Sequence, residues 1–251
     1  MLIPIRNKKE INYLEKSNNL VAKALDLARN MLKPGLNVLE LDKSIEDFIR
    51  RSDATPAFKG LYGFPNASCI SINEVIIHGI PKDYILQDGD IIGIDVGVQK
   101  DGWYGDGAFT ATVGEAKKED LILIDCAKTS LLKVIDEIKV GMYFKEISQI
   151  IEDSIKGFGF VPLQDFCGHG IGRKPHDDPQ IFNYVRGNAK QGPKVREGMV
   201  FCLEPMVCQK DGRPVILDDG WSVISKDNMN TSHYEHTVAM IGSRAQILTK
   251  I

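Results

Sequence analysis

The sequence predicts an α+β protein built from two related halves that share one sheet. Two internal echoes and a repeated order of elements support this. A shift of 106 residues aligns PGLNVLELDKSIEDFI (34–49) with VGMYFKEISQIIEDSI (140–155) without gaps, with identities at Gly35/Gly141, Glu40/Glu146, Ile45/Ile151, Glu46/Glu152, Asp47/Asp153 and Ile49/Ile155. Further on, LQDGDIIGIDVG (86–97) echoes KVREGMVFCLEPMV (194–207), pairing Gly89 with Gly198 and Asp95 with Glu204. Amphipathic helices resemble one another by chance, but two echoes in the same order point to duplication. In each half an amphipathic helix precedes the first echo and a β-rich stretch follows it, which sets the halves at roughly 8–115 and 116–249.

The elements follow from periodicity and punctuation. Leu14, Leu20, Val21, Ala24, Leu25, Ala28 and Leu32 fall near helical spacing, predicting a helix over Ile11–Leu32 that Pro34-Gly35 stops. A second helix fits Leu39–Arg51, and its counterpart half opens with a helix over Asp120–Ile138. Asp90–Gln99 and Trp103–Val113 read as strands joined at Asp101-Gly102, a hairpin turn signal. Met199–Val207, Val215–Leu217, Trp221–Ile224 and Tyr234–Ile241 read as further strands.

Composition narrows the class. The 251 residues carry 31 Lys+Arg against 34 Asp+Glu, with 43% hydrophobic residues, so a folded globular chain is expected and a dedicated nucleic-acid binder is not. No apolar run reaches the roughly 18 residues of a membrane helix, and the charged N-terminus does not read as a signal peptide. The cysteines Cys69, Cys126, Cys167, Cys202 and Cys208 are odd in number and lack a C-x-x-C spacing. A reducing, cytoplasmic setting follows, with the thiols as small buried hydrophobes.

The chemistry lies in acids on the strands. In Ile91–Val98, Ile92, Ile94, Val96 and Val98 share one face, while Gly93, Asp95 and Gly97 share the other. A carboxylate between two glycines has open space around it. If Asp101-Gly102 is a two-residue loop, Lys100 pairs with Trp103 and Gly97 faces Asp106, which puts Asp106 diagonally beside Asp95 on one face. A slip of one residue would separate them, and the pair alone also fits two solvated acids. Glu204 and Glu235 sit in apolar strand sequence, where a buried charge needs a partner: a Lys or Arg, or a shared cation. Pro205 places Glu204 near a strand end. Among the histidines, His169 is flanked by Gly168 and Gly170, which free its ring to enter a site, whereas His78 and His176 stand beside Gly79 and Pro175. Any one of them alone fits a structural role. His236 faces away from Glu235 by alternation, and His233 has no assigned role.

Together, SINEVIIHGIP (71–81), DGDIIGIDVGVQKDGWYGD (88–106), GHGIGRKPHDDPQI (168–181), EGMVFCLEPM (197–206) and YEHT (234–237) make the chain resemble the bacterial form of the type I methionine aminopeptidases over nearly its whole length. The resemblance implies the pita-bread fold of creatinases and aminopeptidases: two pseudo-symmetric halves around a curved antiparallel sheet with helices on the outer face. It implies one catalytic domain over 1–251. It implies two divalent metal ions (Co, Mn, Fe or Zn) held by Asp95, Asp106, His169, Glu204 and Glu235, with Asp106 and Glu235 bridging. Glu204 would also shuttle a proton, and His78 and His176 would contact the substrate and the developing oxyanion. Phe64, Cys69 and Trp221 would surround the Met side chain.

The implied reaction is removal of the N-terminal Met of nascent polypeptides, with a small second residue preferred, by metal-activated water attacking the first peptide bond. The implied setting is a cytoplasmic monomer with a transient ribosome contact, no membrane and no nucleic-acid substrate. An oxygen-rich donor set with one imidazole suits Mn²⁺, Fe²⁺ or Co²⁺ better than a structural zinc cage does. The chain departs from the resemblance at Tyr62, Gly97, Gly107 and Pro175, which bears on pocket detail. The short spacings from His176 to Glu204 and Glu235 leave no room for the type II insertion, and the early start of the catalytic pattern argues against the N-terminal domain of X-Pro peptidases. The competing readings are a related dinuclear dipeptidase or X-Pro peptidase, a non-catalytic binding protein of the same fold, and a purely structural globular protein.

Overall fold

A computed structural model describes residues 3–250. In chain order, helices α1 (Lys8–Met31) and α2 (Val38–Arg51) lead to strands β1 (Thr55–Pro56), β2 (Cys69–Ile72), β3 (Val75–Ile77), β4 (Ile91–Lys100) and β5 (Trp103–Thr112). Helices α3 (Lys118–Glu137) and α4 (Phe144–Gly157) open the second half. Strands β6 (Val161–Pro162), β7 (Cys167–Gly170), β8 (Asp177–Phe182), β9 (Val200–Leu203) and β10 (Met206–Cys208) follow. The chain closes with β11 (Pro214–Ile216), β12 (Val223–Ser225), β13 (Ser232–His233), β14 (Glu235–Ile241) and β15 (Arg244–Ile247).

Local chemistry sets the helix ends. Asn7 and Glu10 form a reciprocal capping box, which starts α1 a turn earlier than the apolar pattern alone indicates. Asn37 caps α2 through the Leu39 amide, and Glu146 accepts from the Tyr143 amide at the start of α4. Gly35, at φ +89°, makes the turn that Leu32 and Pro34 begin.

A nine-stranded sheet runs β1-β4-β5-β14-β9-β7-β8, with β2 paired to β4 and β15 to β14. Its registered pairs are antiparallel. The two halves meet at β5 and β14, so β4 answers to β9 and β5 to β14 on either side of the seam. This is the duplication legible in the echoes. Ile92, Ile94, Val96 and Val98 bury one face of β4 against Val21, Ala24, Leu41 and Ile45 from the helices. The same apolar cluster continues through Leu131, Val134, Ile147 and Ile151 of α3 and α4 to Phe201 and Val238. One core therefore spans both halves, and all four helices pack on the same side of the strands.

The hairpin has the expected register: Lys100 pairs with Trp103, and Gly97 with Asp106. The stretch Met199–Val207, expected as one strand, is two. β9 stops at Leu203 and β10 resumes at Met206, because Pro205 has no amide to extend the ladder. At the break the chain changes sheets: β9 pairs with β14, whereas β10 pairs with β13 and β6.

Ile94 is fully buried between the sheet and the helices. Ile94→Ala is expected to destabilise the fold by about 2–5 kcal/mol. Urea unfolding should show this as a lower midpoint with an unchanged slope.

Candidate metal centre

The face of the sheet opposite the helices gathers the acids. Asp95 on β4 lies directly across from Ala108 on β5, and Ala108 lies across from Glu235 on β14. Asp106, two residues before Ala108, projects from the same face. The small Ala108 side chain at the middle of this row leaves room between three carboxylates. Glu204 arrives at the end of β9, where the strand break frees its backbone carbonyl to accept from Asn183 Nδ2 at 2.9 Å.

His169 comes from β7 because two glycines let that strand approach its neighbours. A Cβ on Gly168 would stand 2.4 Å from the Cys202 carbonyl oxygen, and one on Gly170 would stand 2.0 Å from that of Asp178. The imidazole Nδ1 lies 3.0 Å from the Gly170 carbonyl, a contact that requires Nδ1 to hold the proton. Nε2 is then a lone pair, facing Glu204 Oε1 at 3.5 Å and Asp106 Oδ2 at 4.0 Å. Acceptor faces acceptor, an arrangement that a cation between them would complete, and a carbonyl-anchored imidazole is how a metal-ligating histidine is normally held.

The donor set passes this test elsewhere too. Ligand atoms of Asp106, His169, Cys202 and Glu235 all lie within 4.8 Å of one another. Asp95 Oδ1 and Glu235 Oε1 are buried without a hydrogen-bond partner. Among the described residues, the basic groups within 4.0 Å of the four acids are the imidazoles of His169 and His233, with no Lys or Arg. The Lys or Arg partner left open by the sequence is thus absent among these residues.

Burial and like charge shift these groups together. Burial, opposed only by a hydrogen bond from Asp106, pushes Asp95 up to about 7. Asp106 is raised well above the usual carboxylate range by burial, then by Glu235 and Asp95. Glu204 is raised likewise by burial and by Asp106 and Asp95, and Glu235 by burial, Glu204 and Asp95. Burial pushes His169 down to about 3 and His78 down to about 4, each aided by His176. Cys202 was not singled out in the sequence. It faces the acids from β9, and its thiol lies 3.4 Å from Thr237 Oγ1. Burial and the neighbouring Glu235 and Asp106 raise it well above the usual thiol range, so it stays protonated.

The acids floor a cavity of about 590 Å³. Its apolar end holds all three expected side chains: Phe64, Cys69 and Trp221, with Phe64 edge-on to Trp221 at 5.2 Å between ring centroids. Cys69 on β2 lies opposite Asp95, which joins the apolar end to the acids. Phe58 and Met206 also line it and escaped the sequence reading. Gly97 was the available signal, since a Cβ there would fall 2.5 Å from the Phe58 ring. His78 and His176 line the same cavity. His78 holds a left-handed backbone, φ +56°, costly for a non-glycine residue and typical of functional sites. His176 crosses the His169 ring at 4.5 Å, and the exposed Tyr62 stacks beyond it at 6.4 Å. His236 points away from the acids, as expected, to Thr249 at 2.8 Å.

The model of metallopeptidase family M24 matches residues 12–241. This chain belongs to that family. It is 58% identical to a methionine aminopeptidase of Helicobacter pylori over 252 residues, covering 100% of both chains. Solved methionine aminopeptidases superpose closely: that of Thermotoga maritima at TM-score 0.97 and 35% identity over 100% of both chains, and that of Rickettsia prowazekii at 0.96 and 33% over 99% of this chain and 100% of that one. The architecture is the expected pita-bread fold, and membership of M24 makes divalent-metal use a property of the family. Among the described residues no helix is long and apolar enough to cross a membrane.

Stability should depend on pH in a way set by these groups. Buried histidines with depressed values favour the folded state as pH rises towards their ordinary value of 6.5. Carboxylates with raised values disfavour it as they ionise, so the two sets oppose each other below about pH 6.5. Above that pH only the carboxylates still titrate, and the folded state binds more protons than the unfolded one. Metal-free protein should therefore lose thermal stability between about pH 6.5 and 8, and added Mn²⁺ should raise Tm more at pH 8 than at pH 6.5. Scanning calorimetry with and without chelator checks both signs.

Proposed function

We propose that this chain is a metal-dependent methionyl aminopeptidase, a hydrolase that removes the N-terminal Met from peptides and nascent proteins and prefers a small second residue. The observation that carries the reading is one cavity with two ends. Four carboxylates and a lone-pair imidazole, with no Lys or Arg counterion among the described residues, form its floor, and an aromatic pocket adjoins them. The resemblance to named methionine aminopeptidases along the full chain supports it.

Asp95, Asp106, His169, Glu204 and Glu235 would hold two divalent ions. Once bound, such a pair offsets the acids' mutual repulsion, polarises the scissile carbonyl and makes water nucleophilic near neutral pH. Phe58, Phe64, Met206 and Trp221 bind the Met side chain, whose thioether suits an aromatic wall. Glu204 takes the proton of the attacking water and passes it to the leaving amine. His78 and His176, both pushed down by burial, are neutral at pH 7 and each offers one N–H to the substrate carbonyl as negative charge develops on it. Because the acids and the Met pocket lie side by side, the free α-amine of residue one falls beside the carboxylates, which accounts for cleavage at the chain's very start.

The same reading makes residues 1–251 one catalytic domain, working as a monomer in the cytoplasm, where nascent chains emerge, with a transient contact to the ribosome. All five cysteines are free, as a reducing compartment allows.

Metal-free protein given Mn²⁺, Fe²⁺ or Co²⁺ should release Met from Met-Ala-Ser, and chelator should abolish the release. Asp106→Ala should be inactive at all metal concentrations, and an X-Pro peptide should not be cut. Absence of Met release with all three metals would overturn the reading. In steady-state assays, Phe64→Ala should raise KM for the Met peptide by about tenfold or more, with metal affinity unchanged by calorimetry.

A further inference from the structure

We propose that His233 is a positioning residue for Glu204: its Nε2–H faces Glu204 Oε2 and holds the carboxylate so that Oε1 is presented to the His169 side of the metal centre. The inference rests on the metallopeptidase reading and deepens it, because it gives the two oxygens of one carboxylate different tasks.

Glu204 sits between two imidazoles. Its Oε1 lies 3.5 Å from His169 Nε2, and its Oε2 lies 3.8 Å from His233 Nε2. The two rings differ in what they offer. His169 spends its Nδ1 proton on the Gly170 carbonyl and turns a lone pair towards the acids. His233 is only 3% exposed, and its Nε2 is buried without a hydrogen-bond partner. His169 belongs to the cluster whose ligand atoms would share a cation, whereas His233 does not; with no cation between them, its Nε2 can meet the ionised, metal-holding form of Glu204, which only accepts, by donating. A separation of 3.8 Å is too long for a hydrogen bond, so the proposed contact requires the Glu204 carboxylate to turn towards the ring.

Both backbones are tied down by hydrogen bonds. The His233 amide donates to Thr110 Oγ1 at 2.9 Å, and the Thr110 hydroxyl donates back to the His233 carbonyl at 2.8 Å. Thr110 lies on β5, the strand that carries Asp106, so the His233 backbone is anchored to the sheet that carries the acids. The Glu204 backbone is tied to Asn183, and β13 sets His233 directly across from Met206, just past the strand break. His233 does not line the cavity. It therefore acts on the reaction through Glu204 and not through substrate. It also stands outside the group of mutually close ligand atoms that contains His169.

The test compares His233→Leu, which keeps volume and removes the donor, with His233→Gln, which keeps a donor. Mn²⁺ binding to metal-free protein is measured by calorimetry, and kcat and KM are measured with Met-Ala-Ser. The Leu variant should bind Mn²⁺ about 10- to 100-fold more weakly and lose kcat with KM nearly unchanged, and the Gln variant should recover most of both. Parent-like Mn²⁺ affinity in the Leu variant, or a Gln variant as impaired as Leu, would overturn the proposal. If the Leu variant does not fold, the ¹⁵N shifts of Zn²⁺-loaded parent protein decide: a protonated, pyrrole-type Nε2 on His233 upholds it, and a pyridine-type Nε2 overturns it. A parent protein that neither binds Mn²⁺ nor releases Met would instead break the metallopeptidase reading, so the two failures are distinct.

Discussion

The structure depends on one electrostatic conflict: three buried carboxylates and the half-buried Asp95 share a single sheet face with no Lys or Arg among the described residues within 4.0 Å to neutralise them. Isolated charges in such a setting protonate or unfold the site. Here burial pushes Asp95 upward, and burial and mutual repulsion push Asp106, Glu204 and Glu235 upward, in the direction that favours bound protons. Divalent metal, which the M24 family uses, answers the same demand with positive charge. The stability of the face and its chemistry are thus one property.

Duplication makes the conflict possible to build. β4 with β5 and β9 with β14 meet at a central seam, and each half contributes one acid to an inner strand and one to the strand beside it. Asp106 and Glu235 come from the inner strands, while Asp95 and Glu204 come from the flanking ones. The halves then diverge where function requires it. The first keeps a continuous hairpin, and the second breaks at Pro205 and sends β10 to another sheet. That break brings Glu204 within reach of both His169 and His233.

Selectivity and chemistry share a wall. Cys69 lies across from Asp95, and Gly97, one turn of the pleat away, gives its space to Phe58. The ring that bounds the apolar pocket therefore packs on the very strand that carries Asp95. A change in pocket size near Gly97 would be felt at Asp95, as close-packed interiors transmit small displacements.

Much of this was legible in the chain itself. Helical and strand periodicities placed the helices and the central hairpin, because local burial patterns and Asp101-Gly102 do not need the rest of the fold. The hairpin register alone put Asp95 and Asp106 on one face, and the glycines around His169 marked a close approach. Local pattern could not show the break at Glu204, which reflects a change of sheet that only tertiary pairing defines. Nor could it show Phe58 at the site, which enters from a segment remote from every acid; Cys202, Met206 and His233 each stand two residues from one of the acids, but the break at Pro205 and the pairing of β13 decide where they lie. The small Ala108 matters only because Asp95 and Glu235 flank it across two ladders. The sequence by itself determined which residue types could hold a cation and which faces they occupied, because alternation along a strand is a local property. Whether distant acids converged without counterions was decided only by the tertiary structure, because that depends on long-range strand pairing and on what is left out of the space between.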